Sequence, residues 1–299
     1  MNLFHSLITH RPLFASSSHR RIVSSILLLF SRPLFVISVV WLLILILASV
    51  LGPKCVTSFS PDSPDYDAVY QPPSRKHPAG TDSLGRDMLS RLIAGGRISL
   101  RIAAMASLLN LLLGVSWGAL SGYAGGRIDQ VMMRIVDVLY GLPTILVVIL
   151  LMVYLDQGIR NIYLAIGLTY WLNMARIVRG ETLAIKQMEY IVAARSLGAS
   201  SPRIILSHII PNASASIFVT VMFFIPEAIF AEAFLSYIGL GVPAPGASWG
   251  TLASEGTRNL QSYPYLMWYP AAVICITMLA FNIVGDDLRR RWNKQLTET

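Results

Sequence analysis

Glu227 and Glu232 are the acids of this chain most able to do chemistry, because both lie in or at the edge of a long apolar run. An ionisable group at membrane depth is costly and marks a function by default. Their five-residue separation puts them about 140° apart on a helix, so they share no face on which a general acid and base would converge. No nucleophile stands beside them. Glu227 is open to two readings, a lining residue of a polar path or the partner of an arginine. Elsewhere, Arg134 and Asp137 are three apart and suit a local ion pair, and Pro143 suits a bend in an apolar helix. His208 precedes an apolar run and reads as interfacial. Cys55 and Cys275 have no metal or redox spacing, and both read as small apolar residues. The chain has no GxxxxGK[ST] phosphate loop, HExxH, GxSxG or Cys/His constellation. No residue is therefore assigned to catalysis, a cofactor or a metal. Any energy-consuming work would draw its energy from another polypeptide.

The elements that hold these residues are membrane spans. Of 299 residues, 54% are hydrophobic and 13% charged, whereas soluble domains carry about 25% charged residues. Six charge-poor intervals approach the 20 or so residues that cross a bilayer. They are 33–53, 102–126, 138–155, 161–175, 209–226 (continuing past Glu227 and Glu232) and 259–284. The fourth is short, and Arg176 at its end can snorkel to the interface. Trp171, Trp268 and Tyr269 near span ends fit an aromatic belt.

The net charge of +8 tests as topology rather than as a nucleic-acid footprint. With both termini inside, the inner segments hold 15 of the 24 basic residues, among them Arg11, Arg20, Arg21 and Arg32 of a flexible basic start. Seven of the other nine lie in one long outer segment, which counts little in the positive-inside rule. The expected organisation is a cytoplasmic basic tail (1–32), a peripheral first span (33–53), an extended external loop (54–97), a helical bundle (98–285) and a cytoplasmic tail (286–299). The start is too long for a signal peptide and reads as an uncleaved anchor.

Residues 182–211 form the most structured inner loop. A helix is expected over 182–197, with Gly198 as its left-handed terminator. Ser201 then caps a second helix that has Pro202 at its first position, and Pro211 ends that helix. With the small Ala193 and Ala194 beside the turn, the loop is a knob for a groove on another protein, or else a surface lying on the headgroups.

At these residues the sequence resembles a family. Val192-Ala193-Ala194-Arg195-Ser196-Leu197-Gly198, followed by Pro211, is similar to the "EAA" loop of permease subunits of ATP-binding-cassette importers. Val192 stands where the family often has Glu, and Ile210 stands for Leu. Gly80-Thr81-Asp82-Ser83-Leu84-Gly85-Arg86-Asp87 with Ser90-Arg91 resembles the external GTDxxGRDxxSR signature of the C-type permeases of oligopeptide and dipeptide importers. Further matches to that subfamily are Asp129, Arg134, Asp137 and Pro143, the stretch from Glu232 to Gly241, Ser248-Trp249-Gly250, and 282–289.

The resemblance implies an all-α polytopic protein of six transmembrane helices with the type I ABC importer permease fold. It implies a homologous permease as heterodimer partner, two ATPase subunits that handle ATP and Mg, an extracytoplasmic solute-binding protein and a peptide cargo. Nucleic acid is not among the expected partners. Ala193, Ala194, Arg195, Gly198 and Pro211 would couple to the ATPases, and Glu227, Glu232 and Pro143 would line or gate the pathway. Glutathione or a nickel complex as cargo, an intramembrane enzyme and an assembly factor stay open as alternatives.

Overall fold

The computed structural model describes residues 33–52 and 56–297, with side chains as far as Trp292. The basic start with its four arginines, and Cys55, lie outside the described residues. The described elements are helical: α1 (Pro33–Leu51), α2 (Met88–Ala124), α3 (Gly126–Tyr140), α4 (Thr144–Leu155), α5 (Ile159–Ile185), α6 (Glu189–Ser196), α7 (Ser201–Ile204), α8 (Ile210–Tyr237), α9 (Trp249–Arg258) and α10 (Tyr265–Thr297). A π-helical turn, Ile205–Ile209, joins α7 to α8. Four stretches are long and apolar enough to cross a membrane: Pro33–Leu51, Met88–Ala124, Ser201–Tyr237 and Tyr265–Trp292. Counting the bent pair α3 and α4 as one makes five.

The centre of the bundle is the pairing of α2 with α5. Gly114, Gly118 and Gly122 recur every fourth residue and form one face of α2. A Cβ on any of them would lie 2.4 to 2.8 Å from Met174, Ala175 or Thr182 of α5. Small residues at this spacing let two backbones approach closely, which is how helices associate where lipid removes the hydrophobic drive. One apolar core runs from Leu92 and Ile102 through Ile166 and Ile229 to Phe281. A second gathers Met174, Val178, Ile191, Ile204 and Ile209 around the 182–211 loop. By contrast α1 turns Leu34, Ile37, Leu43 and Leu47 outward, as a lipid-facing helix does.

Several expectations are corrected. The interval 161–175 belongs to a 27-residue helix, α5, which runs past Arg176 and Arg179 because both guanidinia are paired. Arg176 meets Asp137 at 2.8 Å, and Arg179 meets Asp129 at 2.6 Å. Asp137 therefore pairs across helices rather than with Arg134. Pro143 does not kink a continuous span. It occupies the N-cap of α4, where α3 and α4 meet at 82°.

Residues 182–197 are not one helix. The chain leaves α5 at Lys186, whose ammonium bonds the carbonyl of Tyr123 at the end of α2, and α6 begins three residues later. Ser201 opens α7 rather than capping it; Ser200 holds the cap position without a side-chain bond. Pro211 does not end the second helix either. The π turn bonds the Ile210 N–H to the Ile205 carbonyl, and Pro211 follows in the first turn of α8, where a missing N–H costs little. Ser201–Tyr237 is consequently a continuous helical stretch of 37 residues.

Candidate functional site

The segment 80–91 folds into a knot rather than an extended loop. Asp82 Oδ1 accepts from the Leu84 and Arg86 amides at 2.8 and 3.0 Å. Asp82 Oδ2 accepts from Arg86 Nε at 2.8 Å and from Arg91. Arg91 in turn reaches Glu255 of α9 at 2.8 Å. Asp87 caps α2 through the Ser90 amide at 2.8 Å, and its other oxygen lies 2.9 Å from His77 Nδ1. Thr81 accepts from the Gln71 amide at 2.8 Å, and Tyr265 donates to the Thr81 carbonyl at 3.0 Å. Gly85 has φ +72°, and a Cβ there would lie 1.7 Å from the Asp65 carbonyl oxygen. Gly80, at φ +74°, is equally enclosed by Tyr265 and Gln71. The carboxylates of Asp82 and Asp87 are satisfied within this segment, although His77 Nε2 and Arg91 Nε have no partner, and it covers the start of α2 and α10.

Glu232 is 0% exposed. It accepts hydrogen bonds from Ser99 of α2 (2.9 Å), Ser236 of α8 (2.8 Å) and Ser248 at the start of α9 (2.5 Å). Ser99 also receives the Trp249 amide at 3.1 Å, and the Trp249 indole donates to the Leu92 carbonyl at 2.9 Å. A carboxyl ringed by three hydroxyls with no counter-charge is a joint for three helices. Glu227, one and a half turns earlier, is exposed in the single chain. It borders a cleft of about 410 Å³ between α2, α5, α8 and α10. The structure thus separates the two acids that the sequence paired as candidates.

On the far side, α6 and α7 form a short helical hairpin. Ile191 is 0% exposed and anchors α6 in the second core with Ile204 and Ile209. Around that anchor Val192, Ala193, Arg195 and Pro211 are exposed and Ala194 is half-buried; Leu197 is 88% exposed. Gly198 has φ +85° with nothing within 4 Å of its Cβ position. The Arg195 guanidinium lies 5.5 Å from the Tyr123 ring centroid. A groove of about 800 Å³, edged by Tyr123, Arg195, Pro202 and Leu206, opens beside the hairpin.

Residues 114–297 match the family of binding-protein-dependent transport system inner membrane components. The chain belongs to that family. It is 48% identical over 259 residues to the oligopeptide transport system permease protein OppC of Bacillus subtilis, covering 87% of this chain and 85% of that one. It is 46% identical to the dipeptide transport system permease protein DppC of the same organism, covering 83% and 78%. A chain of the MetNI methionine ABC transporter, solved in an inward-facing conformation, has the same fold. Its TM-score is 0.56 at 17% identity, over 68% of this chain and 97% of that one. This permease is accordingly a transport subunit of the inner membrane, multi-pass and all-helical.

Some residues that shape the permease were missed in the sequence. Arg97 bonds the Ser49 and Val50 carbonyls at 2.8 and 2.7 Å, closing the end of α1. It thereby caps the last carbonyls of that helix. The glycine row on α2 was legible as a four-residue period. So was the polar row Ser216, Thr220 and Glu227, whose spacings of four and seven place it on one helical face.

Proposed function

We propose that this chain forms, with a homologous permease, the membrane pathway of an ATP-driven importer of oligopeptides or dipeptides. Its 48% and 46% identical relatives carry those names, which supports the cargo class. In this reading α5 completes six spans, both termini face the cytoplasm, and the Asp82 knot faces the solute-binding protein. One of the two ATPase subunits seats the α6–α7 hairpin in a surface groove, and the other takes the matching loop of the partner permease.

The observation that carries the reading is the continuity of Ser201–Tyr237. The hairpin presents Leu197 and Val192 outward, while Ile191 and the π turn fix it to α8. A push on the hairpin therefore tilts α8 as a body, and α8 carries Glu227 in the cleft and Glu232 in the three-helix joint. Rigid-body rotation of packed helices about a fixed site is a known route to alternating access.

The test replaces Ala194 by Trp in the assembled complex and follows membrane level, ATPase co-purification and peptide uptake. The expected outcome is a wild-type membrane level with uptake reduced at least tenfold and ATPase subunits released. Normal uptake with normal ATPase association would overturn the assignment of the hairpin.

A further inference from the structure

The cleft that Glu227 borders has an internal order of its own. Asn110 of α2 donates its amide N–H to the Tyr170 carbonyl at 3.3 Å. The Tyr170 ring centroid lies 5.6 Å from that of Phe224, one turn before Glu227, and Asn110, Tyr170 and Glu227 line the same cleft. At the other end Ser216 donates to Glu181 at 2.6 Å. Eleven residues of α8 separate Ser216 from Glu227, about 16 Å of helix, and Thr220 lies between them on the same face. Arg289 is the one basic side chain in the lining. It stands one turn past Gly285, which faces Met222 and Phe223, and so belongs to the Ser216 end.

Two acceptors in the lining of this cleft lack a donor. Asn110 is 2% exposed and its Oδ1 has no hydrogen-bond partner. Its orientation is fixed, because the flipped amide would set oxygen against the Tyr170 carbonyl. Glu227 has no hydrogen bond or ion pair with any described residue, and it also edges a second cavity of about 560 Å³ with Thr144 and Asn282. A buried acceptor left unpaired in a native structure calls for a donor that arrives from elsewhere. The matching group carries positive charge and several N–H donors with no acceptor, which describes a primary ammonium.

We propose that this cleft is a cargo subsite for the free amino terminus of a peptide, with Glu227 as counter-charge and Asn110 Oδ1 as second acceptor. The chain of the cargo runs along Thr220 toward Arg289, which faces its carboxylate. At about 3.3 Å per extended residue, 16 Å accommodates roughly five residues. The inference rests on the importer reading above and adds to it the chemical end of the cargo that the permease holds.

The test uses proteoliposomes containing the whole complex and two peptides of one sequence, one with a free amino end and one N-acetylated, chosen because the binding protein takes both. Wild type is expected to import the free-amine peptide at least tenfold faster. Glu227→Gln should erase that preference by slowing the free-amine peptide alone, Glu227→Asp should keep most of it, and Asn110→Ser should reduce it about threefold. A wild type without preference, a preference that survives Glu227→Gln, or an equal loss for both peptides would overturn the subsite. The last result would mean that Glu227 pairs with a protein arginine. If wild type imported neither peptide, the importer reading itself would fail, a result distinct from these.

Discussion

The Asp82 knot and the α6–α7 hairpin both carry family motifs, yet they use them in opposite ways. In the knot, Asp82, Arg86, Asp87 and Arg91 are all buried, and every carboxylate oxygen among them has a partner within the module. In the hairpin the motif residues point outward, and Ile191 and Ile204 are the enclosed anchors. The two glycines make the contrast sharpest. Gly85 and Gly198 share a left-handed φ, but one is packed against a carbonyl and the other stands in open space. A motif can therefore mark residues that hold one another, as in the knot, or residues held ready for something else.

The comparison breaks most easily at Gly85. Gly85→Ala places a methyl at an impossible distance from Asp65, so little folded protein should reach the membrane, as read by protease resistance of the inserted chain. Next comes Asp82→Ala, which takes the carboxylate from the buried Arg86 guanidinium and leaves Arg91 with Glu255 alone. Removing one partner of a buried ion pair costs about 3–5 kcal/mol, seen as a lowered midpoint of thermal unfolding in detergent. Gly198→Ala should cost only the left-handed penalty, about 1–2 kcal/mol, with insertion intact. If Gly85→Ala and Gly198→Ala were equally damaging, the distinction between the two regions would be lost. Asp137→Asn should change least, under about 1 kcal/mol, because the pair with Arg176 is half exposed and such pairs contribute little.

Much of this was legible in the sequence, and the misses share a cause. Span positions follow from apolar length, and a left-handed Gly198 follows from the end of a helical stripe, because both are local properties. What the chain conceals is pairing between elements far apart in sequence. Arg176 and Arg179 look like the end of a short span until Asp137 and Asp129 neutralise them from α3. Pro211 looks like a stop until it is seen in the first turn of α8, with the preceding Ile210 N–H bonded to Ile205 through the π turn. The three hydroxyls around Glu232 are likewise invisible in the sequence, because Ser99 and Ser248 arrive from other helices. The polar row on α8 was readable, but its meaning depends on Asn110, brought to the same cleft by α2.

The central claim is that the hairpin and α8 move as one body while the Asp82 knot stays apart from that motion. It is tested most directly by distances between spin labels at Ser196 and Ser214, and between Ser196 and Ser83, in the complete complex without nucleotide and with trapped ATP. The account predicts that the Ser196–Ser214 distance is unchanged while the Ser196–Ser83 distance shifts by several ångströms. A changed Ser196–Ser214 distance with a constant Ser196–Ser83 distance would contradict it, because the hairpin would then flex without driving the span.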